Sequence, residues 1–200
     1  LELRSELSNE IGTIEWKSSS DTETLLEAFD HWGVKNTLSK LRGMFALALW
    51  DSKNEDLYLV RDRFGEKPLY YGWINDGKNS IFSFGSELKA LRKYPGFSNA
   101  ISKQALSHYF NYMYVPCPFS IFDGIYKLEP GCMLKISSHP PDKKMTTVPH
   151  SSSTTAFTHD SMSIIRWYDF KEMVNFAAQN QFSDFEEAST ALEVELENVI

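Results

Sequence analysis

The chain is poor in cysteine and has no long apolar segment. Its two cysteines, Cys117 and Cys132, form neither a disulfide framework nor a zinc-ligand pattern. The apolar runs are far shorter than the roughly 20 residues that a membrane-spanning helix needs. No secretory signal peptide is recognisable, although the chain begins at Leu1 rather than methionine. We therefore expect a cytoplasmic protein without a membrane partner.

Basic residues are also scarce. Lysine and arginine total 20 against 27 acidic residues, so that the net charge is −7. No basic stripe is available to neutralise phosphates, which argues against a general nucleic-acid binder. The five histidines lack metal-ligand spacing, and the G-x-x-x-x-G-K-[ST] phosphate loop is absent. We therefore expect no metal site and no cofactor in these residues.

What the chain does contain is a series of short apolar runs bounded by polar turns. Such runs predict strands rather than helices. The first four predicted strands are Met44–Trp50, Leu57–Asp62, Leu69–Ile74 and Ser80–Phe84. The Asn75-Asp76-Gly77 turn predicts that the last two form a hairpin. Two further strands, Ile125–Leu128 and Cys132–Ile136, are predicted to pair across the Pro130-Gly131 turn.

Capping signals predict the helices. Ser20-Asp21-Thr22-Glu23 has the capping-box pattern, and Gly33 is a suitable stop for the helix that follows. A second capping box at Ser183–Glu186 predicts a final helix that runs to Ile200. The remaining predicted helices are the tail of one in the first seven residues and short ones over Asn36–Leu41, Glu87–Arg92 and Ser102–Met113.

Composition changes abruptly from Ser137 to Ser163. This stretch is polar, contains several prolines and shows almost no apolar periodicity. Such a segment cannot bury enough surface to offset the entropy of ordering it. It is therefore expected to be a flexible polar insertion.

Several sequence blocks together resemble one family. They are S-D-T-E at residues 20–23, L-R-G-M-F-A-L-A-L-W-D at 41–51, R-D-R-F-G-E-K-P-L-Y-Y at 61–71, F-G-S-E-L-K-A-L at 84–91 and Y-V-P-C-P-F-S-I-F-D-G-I at 114–125. In this order they are similar to the glutaminase domain of glutamine-dependent asparagine synthetases, which are class II glutamine amidotransferases. Gly85 stands where the family usually has alanine. The resemblance spans roughly residues 1–170.

The resemblance implies a fold and a domain division. The expected fold is α+β, a four-layer αββα sandwich of antiparallel sheets of the N-terminal-nucleophile hydrolase type. Residues 1–170 would form a partial amidotransferase domain, with the polar insertion at 137–163. Residues 171–200 would form a linker and the first helix of a following ATP-dependent synthetase domain. The chain is accordingly expected to be truncated at both ends.

The resemblance also implies an activity. The full-length protein would be a glutamine-hydrolysing asparagine synthetase, which passes ammonia from glutamine to activated aspartate. Its nucleophile is an N-terminal cysteine whose own α-amino group acts as base. That cysteine is expected upstream of Leu1, so that no catalytic residue is assigned here and the chain alone should be inactive. Cys117 and Cys132 are interpreted as ordinary small apolar residues.

Cofactors and partners follow from the same resemblance. ATP and Mg²⁺ are expected only in the following domain, whose S-G-G-x-D-S signature is absent from these 200 residues. The expected partners are glutamine and the following synthetase domain, with a homodimer as an open alternative.

Asp21 is the single candidate for substrate binding. In the family, the corresponding aspartate binds the α-amino group of glutamine. The alternative is a contribution to the helix start, since an aspartate in the first turn is favourable without any ligand. The two roles are compatible.

The charged residues at the end of the second predicted strand and just after it also have two interpretations. Arg61, Asp62, Arg63, Glu66 and Lys67 could form an ion-pair network that holds a turn, which we favour, or lie near a passage for ammonia. Glu87 is a helix-start charge or part of the same wall. Tyr70, Tyr71, Trp50 and Trp73 are expected in the core rather than against a ligand.

Two other functions fit the sequence. One is an enzyme like β-lactam synthetase, which resembles this family but lacks the catalytic cysteine. The other is a catalytically inactive amidotransferase-like domain that serves as an interaction module. The first residues of the full-length chain would separate both from a glutaminase.

Overall fold

The computed structural model describes residues 2–76, 79–142, 145, 147–152 and 154–197. The chain divides into two compact units, Leu1–Tyr168 and Asp169–Ile200. The helices are α1 (Glu2–Ile11), α2 (Asp21–Lys40), α3 (Leu88–Leu91) and α4 (Lys103–Tyr112) in the larger unit, and α5 (Phe170–Gln179) and α6 (Phe185–Glu197) in the smaller. The strands are β1 (Ala46–Asp51), β2 (Asp56–Arg61), β3 (Tyr70–Asn75), β4 (Ser80–Gly85), β5 (Ile125–Lys127), β6 (Cys132–Ser137), β7 (Phe157–His159) and β8 (Met162–Arg166).

These strands form two antiparallel sheets. The larger has the order β1-β2-β6-β8-β7 and the smaller has the order β4-β3-β5. The first four predicted strands are confirmed with small shifts at their ends. The hairpin of β3 and β4 is confirmed by the pairing of Asn75 with Ser80, although Gly77 lies outside the described residues. The α+β class is therefore confirmed.

The predicted pairing of the two strands around Pro130-Gly131 is wrong. β5 pairs with β3 in the smaller sheet, whereas β6 pairs with β2 and β8 in the larger one. The turn carries the chain from one sheet to the other. Gly131 has φ +62°, and a Cβ there would lie 2.3 Å from the carbonyl oxygen of Tyr168. A turn motif predicts a change of direction, but the sheet that receives the next strand depends on long-range packing.

The two sheets pack against each other through one apolar core. Alternate residues of each strand point to the same face, and the inner faces bring together Leu59, Tyr71, Trp73, Leu128, Cys132, Leu134, Ile136, Met162 and Ile164. The opposite face of the larger sheet, with Val60 and Met133, packs against Leu38 of α2. The outer face of the smaller sheet, with Ile74 and Ile125, packs against Leu91 of α3. Tyr71 and Trp73 are in the core, as predicted, and Tyr70 packs at its edge. The same expectation for Trp50 is wrong, because its side chain on β1 is 57% exposed.

Gly33 interrupts α2 where the sequence predicts a stop. Its φ is +74°, and helical backbone resumes beyond it. The hydroxyl of Thr37 donates to the carbonyl oxygens of Ala28 at 2.9 Å and Gly33 at 2.8 Å. The two predicted helices are therefore confirmed as two segments of one kinked helix.

The polar segment 137–163 contains more regular structure than its composition predicts. It includes β7 and the first residues of β8, and Met145 and Ser151 are buried. The indole N–H of Trp73 donates to the carbonyl oxygen of Pro141 at 2.8 Å, which satisfies a buried donor of the core. Lys143, Lys144, Thr146 and Ser153 lie outside the described residues. The expected flexibility of the other parts of this segment stays a prediction.

The smaller unit contains one helix that the sequence patterns missed. The carboxylate of Asp169 accepts from the amide of Lys171 at 2.9 Å and thereby begins α5. The last capping box is displaced by one residue, since Asp184 accepts from the amide of Glu187 while Glu187 accepts from the amide of Ser183. The predicted end of the last helix at Ile200 lies outside the described residues. In the described part of the chain, no helix is long and apolar enough to cross a membrane.

Candidate functional site

The start of α2 positions the candidate substrate-binding residue. Ser20 is the N-cap, and its side-chain oxygen accepts from the amide of Thr22 at 3.2 Å. The predicted capping box is only half right. Glu23 accepts from the amides of Lys17 at 2.7 Å and Ser18 at 2.8 Å rather than from that of Ser20. These bonds, that of Lys17 foremost, lower the pKa of Glu23, so that it stays a carboxylate that ties the preceding loop to the helix.

Asp21 is the first residue of α2, and its side chain is exposed. Among the described residues, none donates a hydrogen bond to its carboxylate or forms an ion pair with it. The capping bond belongs to its neighbour Ser20. Asp21 therefore contributes at most the favourable effect of a negative charge in the first turn, and its oxygens are available to a ligand.

The Asp21 carboxylate lines an open cleft of about 660 Å³. The cleft lies beside the first turns of α1 and α2 and the segment that enters β1. Its charged lining consists of Glu2, Arg4, Asp21, Lys40 and Arg42, and its apolar lining of Leu3, Leu25, Leu41, Met44 and Phe45. Lys40 is engaged in an ion pair with Glu6. A cleft lined by both signs of charge and by apolar side chains suits a small ligand that carries an ammonium and a carboxylate.

The sequence motifs missed part of this cleft. Arg42 lies inside the L-R-G-M-F block, which could have suggested a role for it. Arg4 lies outside all five sequence blocks that resemble the family. It comes beside Asp21 only because α1 packs against α2 in the tertiary structure, so no local pattern could have identified it.

The second charged segment follows β2 and is built around Asp62. Its carboxylate accepts four backbone hydrogen bonds, from Phe64 at 3.1 Å, Glu66 at 3.0 Å, Lys67 at 3.0 Å and Phe45 at 3.3 Å. Burial raises the pKa of Asp62, but the amide bonds, those of Lys67 and Glu66 foremost, outweigh it and hold the pKa below its ordinary value. Asp62 is 2% exposed.

Arg61 is held in the same way. Its guanidinium donates to the carbonyl oxygens of Lys67 at 2.9 Å and Leu128 at 2.6 Å, and also to that of Gly65. In the described part of the chain, no ion pair joins Arg61 or Asp62 to another side chain. The predicted ion-pair network is therefore wrong in its partners, because both charges are satisfied by backbone groups.

The other members of that charged segment lie further out. The guanidinium of Arg63 donates to the carbonyl oxygen of Ser39 at 3.0 Å and lies 5.3 Å from the ring centre of Tyr168. The side chains of Glu66 and Lys67 are exposed. The structure thus brings Arg61 and Asp62 together with a turn, and not with the cleft that Asp21 lines. Their proposed relation to an ammonia passage stays a prediction.

Glu87 and the two cysteines occupy separate places. Glu87 precedes α3 without a capping bond and forms an exposed ion pair of 2.5 Å with Lys89. Cys132 is fully buried in β6, and burial raises the pKa of its thiol to about 11, so that the thiol stays protonated near neutral pH. Cys117 is half-buried, with its sulfur 3.5 Å from a guanidinium nitrogen of Arg61. In the described residues, no three His, Cys, Asp or Glu side chains are grouped as metal ligands would be.

Comparison with known protein families identifies the class. Residues 1–146 match the glutamine amidotransferase domain. This is most of the larger unit and includes Asp21 and the Asp62 turn. The chain belongs to the glutamine amidotransferase domain family, and within it to the class II domains related to asparagine synthetases.

Individual relatives agree with this assignment. Glutamine-hydrolysing asparagine synthetase 1 of Bacillus subtilis is 40% identical over 136 residues, which are 68% of this chain and 20% of that protein. Asparagine synthetase 3 of the same organism is 35% identical over 124 residues, 62% of this chain and 19% of that protein. A Mycobacterium tuberculosis protein that is provisionally named a glutamine-hydrolysing asparagine synthetase is 39% identical over 136 residues, which are 68% of this chain and 20% of that protein. The chain spans about a fifth of the length of the relatives it matches.

Proposed function

We propose that this chain is the glutaminase portion of a glutamine-hydrolysing asparagine synthetase. The observation that carries the proposal is the state of Asp21. It is an exposed carboxylate without a described hydrogen-bond donor, in a cleft, inside a domain of the amidotransferase family. A free carboxylate at this place is a suitable acceptor for the ammonium group of an amino acid.

The proposed chemistry divides the substrate between groups. Asp21 holds the α-amino group of glutamine, so that the side-chain amide is presented to a nucleophile. That nucleophile is an N-terminal cysteine of the full-length protein, activated by its own amine. The protein groups that bind the carboxylate and the reacting amide of glutamine are likewise proposed to precede Leu1 in the full-length protein. Asp21 itself therefore contributes binding and orientation.

The wider architecture belongs to the same proposal. Two sheets packed between helices support a four-layer αββα sandwich of the N-terminal-nucleophile hydrolase type. The following synthetase domain would bind ATP and Mg²⁺ and amidate aspartate with the released ammonia. We also place cytoplasmic location and homodimer formation among the proposals.

The test compares two nitrogen donors in the full-length protein. A hydrogen bond to a charged group contributes about 1.5–3 kcal/mol. At about 1.4 kcal/mol per tenfold, Asp21→Asn should therefore lower kcat/KM for glutamine roughly 10- to 150-fold. Activity with free ammonia should stay close to that of the unaltered protein, because ammonia bypasses the glutamine pocket.

Asp30→Asn is the matched control. Asp30 lies on the same helix and is exposed, and among the described residues its carboxylate forms only a long ion pair of 3.7 Å with Lys53. Its replacement should change neither activity. Equal losses with both donors in Asp21→Asn would indicate a folding defect and contradict the proposal. No glutamine-dependent activity in the unaltered full-length protein would favour the inactive module or the enzyme like β-lactam synthetase.

A further inference from the structure

One arginine connects α1 to the first turn of α2. The Nε of Arg4 donates to the hydroxyl oxygen of Thr24 at 2.7 Å, and its Nη2 donates to the carbonyl oxygen of Ser20 at 3.0 Å. The same nitrogen lies 3.9 Å from the carboxylate of Glu23. On its other side, the guanidinium lies 4.4 Å from the ring centre of Trp16. Arg4 is thus held between a loop residue and three residues of the α2 start.

Arg4 contacts residues before and after Asp21 in the chain, but among the described contacts of Arg4 none is with Asp21 itself. Ser20 is the residue before Asp21, so a bond to its carbonyl oxygen restrains the peptide that joins the two. Thr24 lies one turn further along α2, is 8% exposed and lines the cleft together with Asp21. Arg4 therefore holds a backbone oxygen just before Asp21 and a side-chain hydroxyl one turn after it.

The same contacts direct Arg4 away from an ion pair with Asp21. An arginine beside a free carboxylate would ordinarily form an ion pair with it. Here Nε and Nη2 of Arg4 donate to Thr24 and Ser20, and the face of the guanidinium is against Trp16. Among the described residues, Arg4 forms no ion pair with Asp21, whose carboxylate stays available to a ligand.

We propose that Arg4 is a positioning residue for glutamine binding, which acts by holding Asp21 in place and unpaired. This inference rests on the proposed function, because it assigns Arg4 a role at the same site. It makes Arg4 distinct from a direct ligand of glutamine, although its side chain lines the cleft. A direct ligand and a positioning residue differ in how their effects combine with that of Asp21.

The experiment is a double-mutant cycle in the full-length protein, with glutamine and ammonia as donors. Displacement of a binding group by a fraction of an ångström to 1 Å can reduce activity up to about 100-fold. Arg4→Met should raise KM for glutamine roughly 5- to 100-fold and leave the kinetics with ammonia within about twofold. In the Asp21→Asn background, Arg4→Met should change KM for glutamine less than about twofold, because the residue through which it acts is already altered.

Glu10→Met is the matched control. Glu10 also ties α1 to α2, through Trp32 Nε1 at 2.7 Å and His31 Nε2 at 3.0 Å, but its side chain is not among those that line the cleft. If Arg4 only stabilised the helix pair, each of the two variants would change the activity with glutamine and the activity with ammonia to the same extent. A similar profile for Arg4→Met and Glu10→Met would therefore overturn the inference.

Two other outcomes are equally decisive. Additive losses in the double mutant would assign Arg4 a direct contact with glutamine and contradict the positioning role. A normal KM for glutamine in Asp21→Asn would instead contradict the proposed function itself, whatever Arg4 does. Should Arg4→Met fail to fold, Trp16→Leu tests the same idea, because it removes the ring that packs against the guanidinium. It should raise KM for glutamine, though by less than the range expected for Arg4→Met, and leave ammonia-dependent activity unchanged.

Discussion

Asp21 and Asp62 are both aspartates at the end of a secondary-structure element, yet they occupy opposite environments. Asp62 follows β2, is 2% exposed and accepts four backbone hydrogen bonds. Asp21 begins α2, is exposed and accepts none from a described residue. The same chemical group therefore organises a turn in one place and is available to a ligand in the other. The number of internal donors distinguishes the two better than the residue type.

The comparison has a physical basis. A buried carboxylate that is not compensated would be costly, so a site like that of Asp62 persists only with all its oxygens satisfied. A carboxylate at a cleft keeps its water until a substrate replaces it. Substitutions at the two sites should consequently affect different measurements, stability at Asp62 and substrate use at Asp21.

The largest effect on stability is expected for Asp62→Asn. The amide keeps the shape of the side chain, but it loses the charge and turns an NH₂ group toward N–H donors. We expect a loss of about 2–4 kcal/mol in the free energy of unfolding, measured by chemical denaturation of the full-length protein at neutral pH. Glu66→Gln, in the same turn but exposed, should leave stability unchanged.

The pH dependence of that loss sharpens the comparison. The pKa of Asp62 is lower in the folded protein than the value of about 3.9 for the unfolded chain. Its contribution is therefore fully present above about pH 4 and is lost as pH falls through the folded pKa. The difference in stability between the unaltered protein and Asp62→Asn should shrink in that acid range. A difference that stays constant down to pH 2 would contradict this account.

A smaller loss is expected for Gly65→Ala in the same turn. Gly65 has φ +69°, and a Cβ there would lie 2.8 Å from Cγ of Pro130 and 2.9 Å from Cζ of Arg61. Left-handed backbone and a close contact together should cost about 1–3 kcal/mol in thermal or chemical unfolding. Gly12→Ala is the control, since Gly12 has φ +96° with open space around its Cβ position. Equal losses in both variants would show that the close contact contributes nothing.

The smallest effect on stability is expected for Asp21→Asn. Ser20 supplies the capping bond, and an exposed side chain without internal partners contributes little. The change in the free energy of unfolding should stay within about 0.5 kcal/mol, while glutamine use falls as proposed above. A loss of 2 kcal/mol or more would show that Asp21 has a structural role like that of Asp62.

Particular elements show what could be predicted from sequence. The hairpin of β3 and β4 was predictable because its apolar runs and its turn are neighbours in the chain. Ser20 and Ser102 were predictable as caps because a cap bonds to amides two or three residues ahead. The pairing of Asn75 with Ser80 is local in the same sense, since the two residues flank the hairpin turn. Asp21 was identified by the resemblance of its S-D-T-E block, since capping alone could not separate its two roles.

The errors arise where distant segments decide the outcome. The placement of β5 and β6 in different sheets depends on how both sheets bury their apolar faces. The strand β7 forms because β8 offers it an edge, although its own sequence is too short and polar to predict it. Glu23 accepts from the amides of Lys17 and Ser18 instead of the expected amide of Ser20, and this choice of partners depends on how the preceding loop folds back.

The sequence by itself determined most of the local elements, though not α5 or β7, and also the family and the identity of the one candidate substrate-binding residue. These depend on contacts within a few positions or on whole blocks of residues. Only the tertiary structure decided which charges are satisfied and which are free. It placed backbone amides around Asp62, carbonyl oxygens around Arg61 and Arg4 beside Asp21. Charge–partner distances across the fold are set by packing, and no local pattern of residues contains them.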